Sequence, residues 1–199
     1  MKQIKLLMFS MLISISAWAQ YPLVSIDSIQ WVHPDSLAVG NTLSRYEGDT
    51  VRVRGLVIYN PRQHALSTNF KASYLVDTSA LATNNWKGLL IRMLSPDSVA
   101  TQFFANFVPG NIVECTGVVA EFKGTEANSG ESQLDLIPVA SQVIGFATPP
   151  APKQVPVSNF MIFDPNDPVV PQKIQKLTGE QYEGMYVQLN NVFVTGVSI

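Results

Sequence analysis

Two stretches of the chain carry the same glycine-centred alternation. In DTVRVRGLVIYN, residues 49–60, Val51, Val53, Gly55, Val57 and Tyr59 share one face while Arg52 and Arg54 share the other, the period of a half-buried strand. The series Gly48, Val51, Val53, Gly55, Val57 returns as Gly110, Val113, Cys115, Gly117, Val119. A glycine inside a strand marks a bulge or a sharp bend, the device by which a strand coils around a small barrel. Two long strands sharing a turn glycine, an alternation and a bend glycine are therefore read as two coiled strands of one barrel.

The remaining elements fit around that pair. ASYLVD (Ala72 to Asp77) and GLLIRML (Gly88 to Leu94) are further strands, joined as a hairpin across a polar stretch that holds Asn84, Asn85 and Trp86. Ser95-Pro96-Asp97-Ser98 supplies an N-cap, a proline at the first helical position and an acidic first turn. Val99, Phe103, Phe104 and Phe107 then recur on one helical face before Pro109-Gly110 ends it. Asn111 to Phe122 is the fourth strand. After a loop from Lys123 to Ser132, Gln133 to Val139 is the fifth, with a possible continuation to Phe146. Five strands with a helix between the third and fourth predict an all-β chain built as a five-stranded OB-like Greek-key barrel with one short helix.

The N-terminus is an address rather than part of the barrel. Lys2 and Lys5 precede an apolar run from Ile4 to Ile15, and Ala17-Trp18-Ala19 places small residues at the cleavage positions, so residues 1–19 are expected to be a signal peptide. The run is well short of the roughly 20 apolar residues that span a bilayer. The rest of the chain is expected to be exported, to the periplasm, the medium or the cell surface, with no membrane span after cleavage. Two of the 13 Lys and Arg side chains fall in this leader and none of the 15 acidic ones does. What remains is net negative, unlike a basic nucleic-acid arm. Cys115 is the only cysteine, so no internal disulfide forms and stability rests on the core; its alternation places it beside Val113 as a small buried apolar residue.

A self-repeat divides the chain further. YEGDTVRVRGLV (Tyr46 to Val57) recurs as YEGMYVQLNNVF (Tyr182 to Phe193). Residues 20–147 are accordingly assigned to the OB-like domain, 148–178 to a proline-rich connector with few regular hydrogen bonds, and 179–199 to the first strand of a second similar module. One strand cannot close a barrel, so the sequence is expected to be a truncated fragment of a longer protein.

The strings SIDSIQ (Ser25 to Gln30), YEGDTVRVRGLVIYN, KGLLIRM (Lys87 to Met93), FVPGNIVECTGVVAEFKG (Phe107 to Gly124) with a following QLDL, and YEGMYVQLNNVFVTG together resemble a bacterial extracellular OB-like domain. That domain is found in secreted nucleases and in multidomain Bacteroidetes-type surface proteins. The resemblance implies a module within a larger protein, with a second such module and a catalytic or sorting domain further on.

Motifs for catalysis are lacking. His33 and His64 lie far apart and in no zinc-type spacing, and there is no nucleophile elbow, HExxH, phosphate-cradling loop or dinucleotide fingerprint. No catalytic residue, metal or cofactor is expected. Asp164, Asn166 and Asp167, interleaved with Pro165 and Pro168, are read as a turn, and Glu126, Glu131 and Asp135 as a solvated loop and strand face. An OB barrel offers the face of its second and third strands, walled by the loops after strand one and between strands four and five. The candidate ligand contacts there are Arg62, His64, Phe70, Lys71, Tyr74, Trp86, Arg92 and Lys123: aromatics to stack on a base or sugar ring, cations to hold phosphate or hydroxyl groups. The expected role is a non-catalytic accessory or binding module of a larger secreted or surface protein. Its partner would be a polymer, oligosaccharide or single-stranded nucleic acid, or a neighbouring domain of the same chain. The alternatives are the substrate-binding domain of a secreted nuclease acting on single strands and a structural spacer in a surface stalk.

Overall fold

The structure is a computed structural model; it describes residues 21–60, 70–78, 85–94, 104–123, 130–137, 141–163, 166, 172–174 and 179–192. The leader, Arg62, His64, and Val99 and Phe103 of the expected helix lie outside these residues. The strands are β1 (Thr50–Val57), β2 (Phe70–Val76), β3 (Gly88–Leu94), β4 (Asn111–Lys123), β5 (Gly130–Leu136) and β6 (Gln142–Phe146). They form one sheet in the order β1-β2-β3-β5-β4-β6, and β1 also pairs with β4, which closes the cylinder. All neighbours run antiparallel except β3 and β5, which are parallel. A closed barrel of this strand order with one parallel pair is the OB-like fold.

Closure rests on the two glycine-bent strands. β1 and β4 pair from Thr50↔Val118 to Leu56↔Ile112, with Val53 opposite Cys115 at the centre, so that Gly55 faces Val113 and Gly117 faces Val51. Each bend glycine thus lies across from a valine of the partner, related by a local two-fold through the Val53–Cys115 pair. The bends need glycine for room: a Cβ on Gly55 would lie 2.7 Å from Leu75 Cβ, and one on Gly117 would lie 2.6 Å from the Asp135 carbonyl oxygen. Cys115 is buried in the core, and burial pushes its thiol up to about 12.

The fifth expected strand does not run on to Phe146. β5 ends at Leu136, and β6 is a separate strand that pairs with the start of β4, where the register shifts between Ile112 and Val113. The thirteen residues of β4 are long enough to serve β5 along their second half and β6 along their first, both opposite β1.

Both ends of the barrel are plugged. Phe104 and Phe107 are buried and meet edge-on at 4.9 Å, around a 3-10 turn at Phe104–Asn106 rather than a described α-helix. From the other side a short helix not foreseen in the sequence, α1 (Ile26–Gln30), buries Ile26 and Ile29. Gln30 Nε2 donates to the Gly88 carbonyl at 2.7 Å, and Lys87 Nζ reaches Asp27 at 2.9 Å and Asp77 at 3.4 Å. The helix α2 (Pro34–Ala38) follows, with the His33 ring accepting from the Asp35 N–H.

Residues 153–189 repeat the opening of the barrel in backbone detail. In the first copy Glu47 N–H donates to Ser44 O and Asp49 N–H to Tyr46 O; 136 positions on, Glu183 N–H donates to Glu180 O and Met185 N–H to Tyr182 O. Gly48 and Gly184 both take positive φ, 88° and 63°, a backbone region glycine enters without a Cβ clash. Arg52 is bridged in parallel by Leu23; its counterpart Gln188 in β10 (Val187–Leu189) pairs in parallel with Gln154 of β7 (Lys153–Val155). A helical turn follows each lead-in strand, α1 in the first copy and the 3-10 turn Val157–Phe160 in the second. Between them, β8 (Met161–Phe163) and β9 (Gln172–Ile174) form an antiparallel pair.

Adding a methyl at the β4 bend is expected to cost about 2–3 kcal/mol in Gly117→Ala, because backbone is the obstacle. Gly145→Ala, whose nearest contact would be Ile112 Cδ1 at 3.4 Å, should cost less than about 0.5 kcal/mol. Equal urea midpoints for the two variants would show that close approach at Gly117 does not set the bend.

Candidate ligand face

Because Leu75, Leu89, Ile91 and Leu134 point into the core, alternation sends Phe70, Ala72 and Tyr74 of β2 outward. With them go Leu90 and Arg92 of β3 and Gln133 and Asp135 of β5, fixed by the pairs Ala72↔Arg92, Tyr74↔Leu90, Leu90↔Gln133 and Arg92↔Asp135. Phe70, Tyr74 and Arg92 of the expected contacts therefore share one surface. Lys71 has the parity of Ser73 and Leu75 and belongs to the other side of β2.

Arg92 is committed on two sides. Its guanidinium lies 4.3 Å above the Phe70 ring and makes a bidentate pair with Asp135, at 2.8 and 2.9 Å. Gln133 Nε2 also donates to the Asp135 carboxylate, at 3.0 Å. Lys123 is held 2.9 Å from Glu47 in the turn before β1. Arg52, Arg54 and Lys87 likewise have carboxylates within 2.9 Å. Among the described residues, Arg52, Arg54, Lys87, Arg92 and Lys123 are each matched by a carboxylate of the barrel itself.

Tyr74 meets Tyr59 edge-on at 6.1 Å. The two line a cleft of about 490 Å3 with Ile58, Glu131, Gly184, Met185 and Tyr186. Burial, helped by the neighbouring Glu131, Tyr59 and Glu183, pushes the Tyr74 hydroxyl up to about 12, so it stays a neutral donor and acceptor. Glu131, expected on a solvated strand face, is instead half-buried, and burial raises its carboxyl. Sequence reasoning missed Tyr59 and Tyr186 as partners of this cleft; the alternation that puts Tyr59 in series with Val57 was the available signal for the first.

Trp86 stands apart, at the end of the β2–β3 hairpin. It lines a second cleft with Trp31, Arg45, Asn85 and Lys87. Its φ is 66°, uncommon for a bulky side chain, and its N–H donates to the Gln181 carbonyl at 2.8 Å. Among the described residues no three His, Cys, Asp or Glu side chains are grouped to hold a metal ion, and no helix is long and apolar enough to cross a membrane.

No family model matches the chain, and no curated protein does. Among solved structures, an OBody bound to hen egg-white lysozyme is similar at 15% identity and a TM-score of 0.37, over 51% of this chain and 85% of its own. A small single-stranded DNA-binding protein from Streptomyces coelicolor is similar at 16% identity and a TM-score of 0.33, over 50% of this chain and 98% of its own. Entamoeba histolytica asparaginyl-tRNA synthetase gives 11% and 0.39, over 64% of this chain and 24% of the synthetase.

The Asp135→Asn variant tests whether the carboxylate silences Arg92. Asp135 is 38% exposed, so the stability loss should stay near 1 kcal/mol. Oligothymidine affinity, read by fluorescence anisotropy, should rise, and its logarithmic salt dependence should steepen by about one unit; an unchanged slope would mean that Arg92 was already free to meet phosphate.

Proposed function

We propose that the barrel is a non-catalytic binding module of a larger exported protein, and that it takes an uncharged, ring-bearing polymer, a glycan, on the outer surface of β2, β3 and β5. One observation carries the reading: the Tyr59–Tyr74 pair in the cleft is bordered by the carboxyl of Glu131, while Arg92 on the same face is matched by Asp135. A phosphate chain needs uncompensated Lys and Arg to release its counterions. A sugar needs flat apolar rings and neutral hydroxyl partners, which tyrosines supply. The apolar leader and the small residues Ala17 and Ala19 support export.

Titration of the mature chain with cellohexaose and with oligothymidine, followed by intrinsic fluorescence, tests this. Saturable cellohexaose binding that is insensitive to salt, weakened about threefold to tenfold by Tyr74→Ala at unchanged urea midpoint, is the expected result. Oligothymidine binding with steep salt dependence would replace the glycan by single-stranded nucleic acid, and silence toward both would leave the barrel a spacer.

A further inference from the structure

The Tyr-Glu-Gly turn of the second repeat is seated on the first barrel, beside the cleft just described. Gly184 lies against Gly88 so closely that a Cβ built on Gly184 would be 2.8 Å from the Gly88 carbonyl carbon, and one built on Gly88 would overlap the Gly184 carbonyl. Around this backbone contact, the Trp86 N–H donates to Gln181 O at 2.8 Å and the Ser132 N–H donates to Glu183 Oε1 at 2.7 Å. Asn85 bonds the Gln181 side chain, and Lys153 Nζ donates to Asn85 Oδ1 at 2.7 Å. Gly184, Met185 and Tyr186 then form one wall of the Tyr59–Tyr74 cleft. The equivalent turn of the first repeat is held differently: the Gly48 N–H donates to Val119 O of β4 at 2.8 Å, and a Cβ on Gly48 would meet nothing within 4 Å.

We propose that Trp86, Gly88 and Ser132 form an acceptor surface for the Tyr-Glu-Gly turn of the following repeat, and that the seating of this turn governs access to the Tyr59–Tyr74 cleft. The second half rests on that cleft being the ligand site. Two glycines meeting backbone to backbone leave no slack for a side chain, so the joint is specific to this pair of elements rather than a loose collision of domains.

The joint responds to pH. Glu183 enters it beside Glu180 of its own turn, Glu131 of β5 and Glu121 of β4, with the Ser132 N–H as its hydrogen-bond donor and Tyr74 of β2 nearby. Lys123 and Glu47 act on Glu121 with opposite signs, and Lys153 lies over the Tyr182 ring at 5.7 Å. Burial and these carboxylates push Glu183 up to about 9 and Glu180 up to about 7. The seated turn therefore binds protons that the free turn releases near 4.5. Seating is fully favoured below that value and weakens as pH climbs toward about 9.

Hydrogen exchange of the Trp86 and Ser132 amides in the full chain, corrected for intrinsic rate, reads the joint directly. Their protection should fall as pH rises between about 5 and 9, by as much as tenfold per pH unit for each proton released. Glu183→Gln, which keeps an acceptor for Ser132, should flatten the dependence. Gly88→Ala should abolish protection at both amides at every pH while that of the β1–β4 amides persists. Protection in wild type that does not change with pH, or that survives Gly88→Ala, would overturn the joint. Cellohexaose titrations on the same three chains separate the two halves: an opened joint with tighter binding supports the gate, and an opened joint with unchanged binding overturns it while leaving the acceptor surface standing. An opened joint with no binding in any chain overturns the glycan reading and the gate together.

Discussion

The antiparallel contact between β1 and β4 is what the rest of the molecule stands on. The other pairings string the strands into the order β1-β2-β3-β5-β4-β6, and the β1–β4 contact is the one that closes this order into a cylinder. It works because each strand gives up a side chain at the point of tightest curvature. A β-carbon at Gly55 would press on Leu75 and one at Gly117 on Leu134 and the Asp135 carbonyl, so β-branched residues, otherwise the best strand formers, are excluded at those two positions. Leu75 and Ile26 fill the space beside Gly55, and Leu134 with the Asp135 backbone fills that beside Gly117. Curvature and close packing are met together by giving up one side chain in each strand.

Those glycines are why the barrel was legible in the sequence. Glycine spacing within alternating segments survives as a one-dimensional pattern, and it placed β1 and β4 close to where they lie; the apolar run of GLLIRML placed β3. β2 opens at Phe70 and β5 at Gly130, ahead of the expected starts; Gly-Glu-Ser carries no apolar alternation at the start of β5, whereas the Phe70–Ala72 alternation of β2 was there to be read. The helix α1 was invisible for a related reason: five residues are too few to show a helical period, and Ser25 makes no side-chain cap bond that a capping motif would advertise. Its helical state is held by tertiary burial of Ile26 and Ile29 and by Gln30 on the Gly88 carbonyl. The separate identity of β6 is likewise decided by which edge of β4 is vacant, a fact of three dimensions.

For the ligand face the sequence supplied residue types but not their pairings. Arg92 and Lys123 look like a phosphate handle when listed alone; in space each has a carboxylate at 2.8 to 2.9 Å. Asp135 lies 43 positions from Arg92, and only the parallel register of β3 and β5 brings them side by side. The pairing changes the chemistry of the surface from cationic to neutral without changing its composition. With the charges matched, the tyrosines are what remains to recognise a partner.

The same logic explains why the second repeat docks where it does. The turn meets the barrel through hydrogen bonds satisfied on both sides, the Trp86 N–H on Gln181 O and the Ser132 N–H on Glu183 Oε1, so these groups exchange water for protein partners. The unfavourable element is Glu183, carried in by the repeat's own Tyr-Glu-Gly string and placed among Glu121, Glu131 and Glu180. In the first repeat the corresponding Glu47 stays exposed and finds Lys123. One turn sequence thus has two fates set by surroundings: an ion pair at the surface in the first copy, and in the second a carboxyl that must hold its proton to remain seated. A glutamine there would accept from the Ser132 N–H without titrating, so it is the carboxyl of Glu183 that ties the proposed joint to pH.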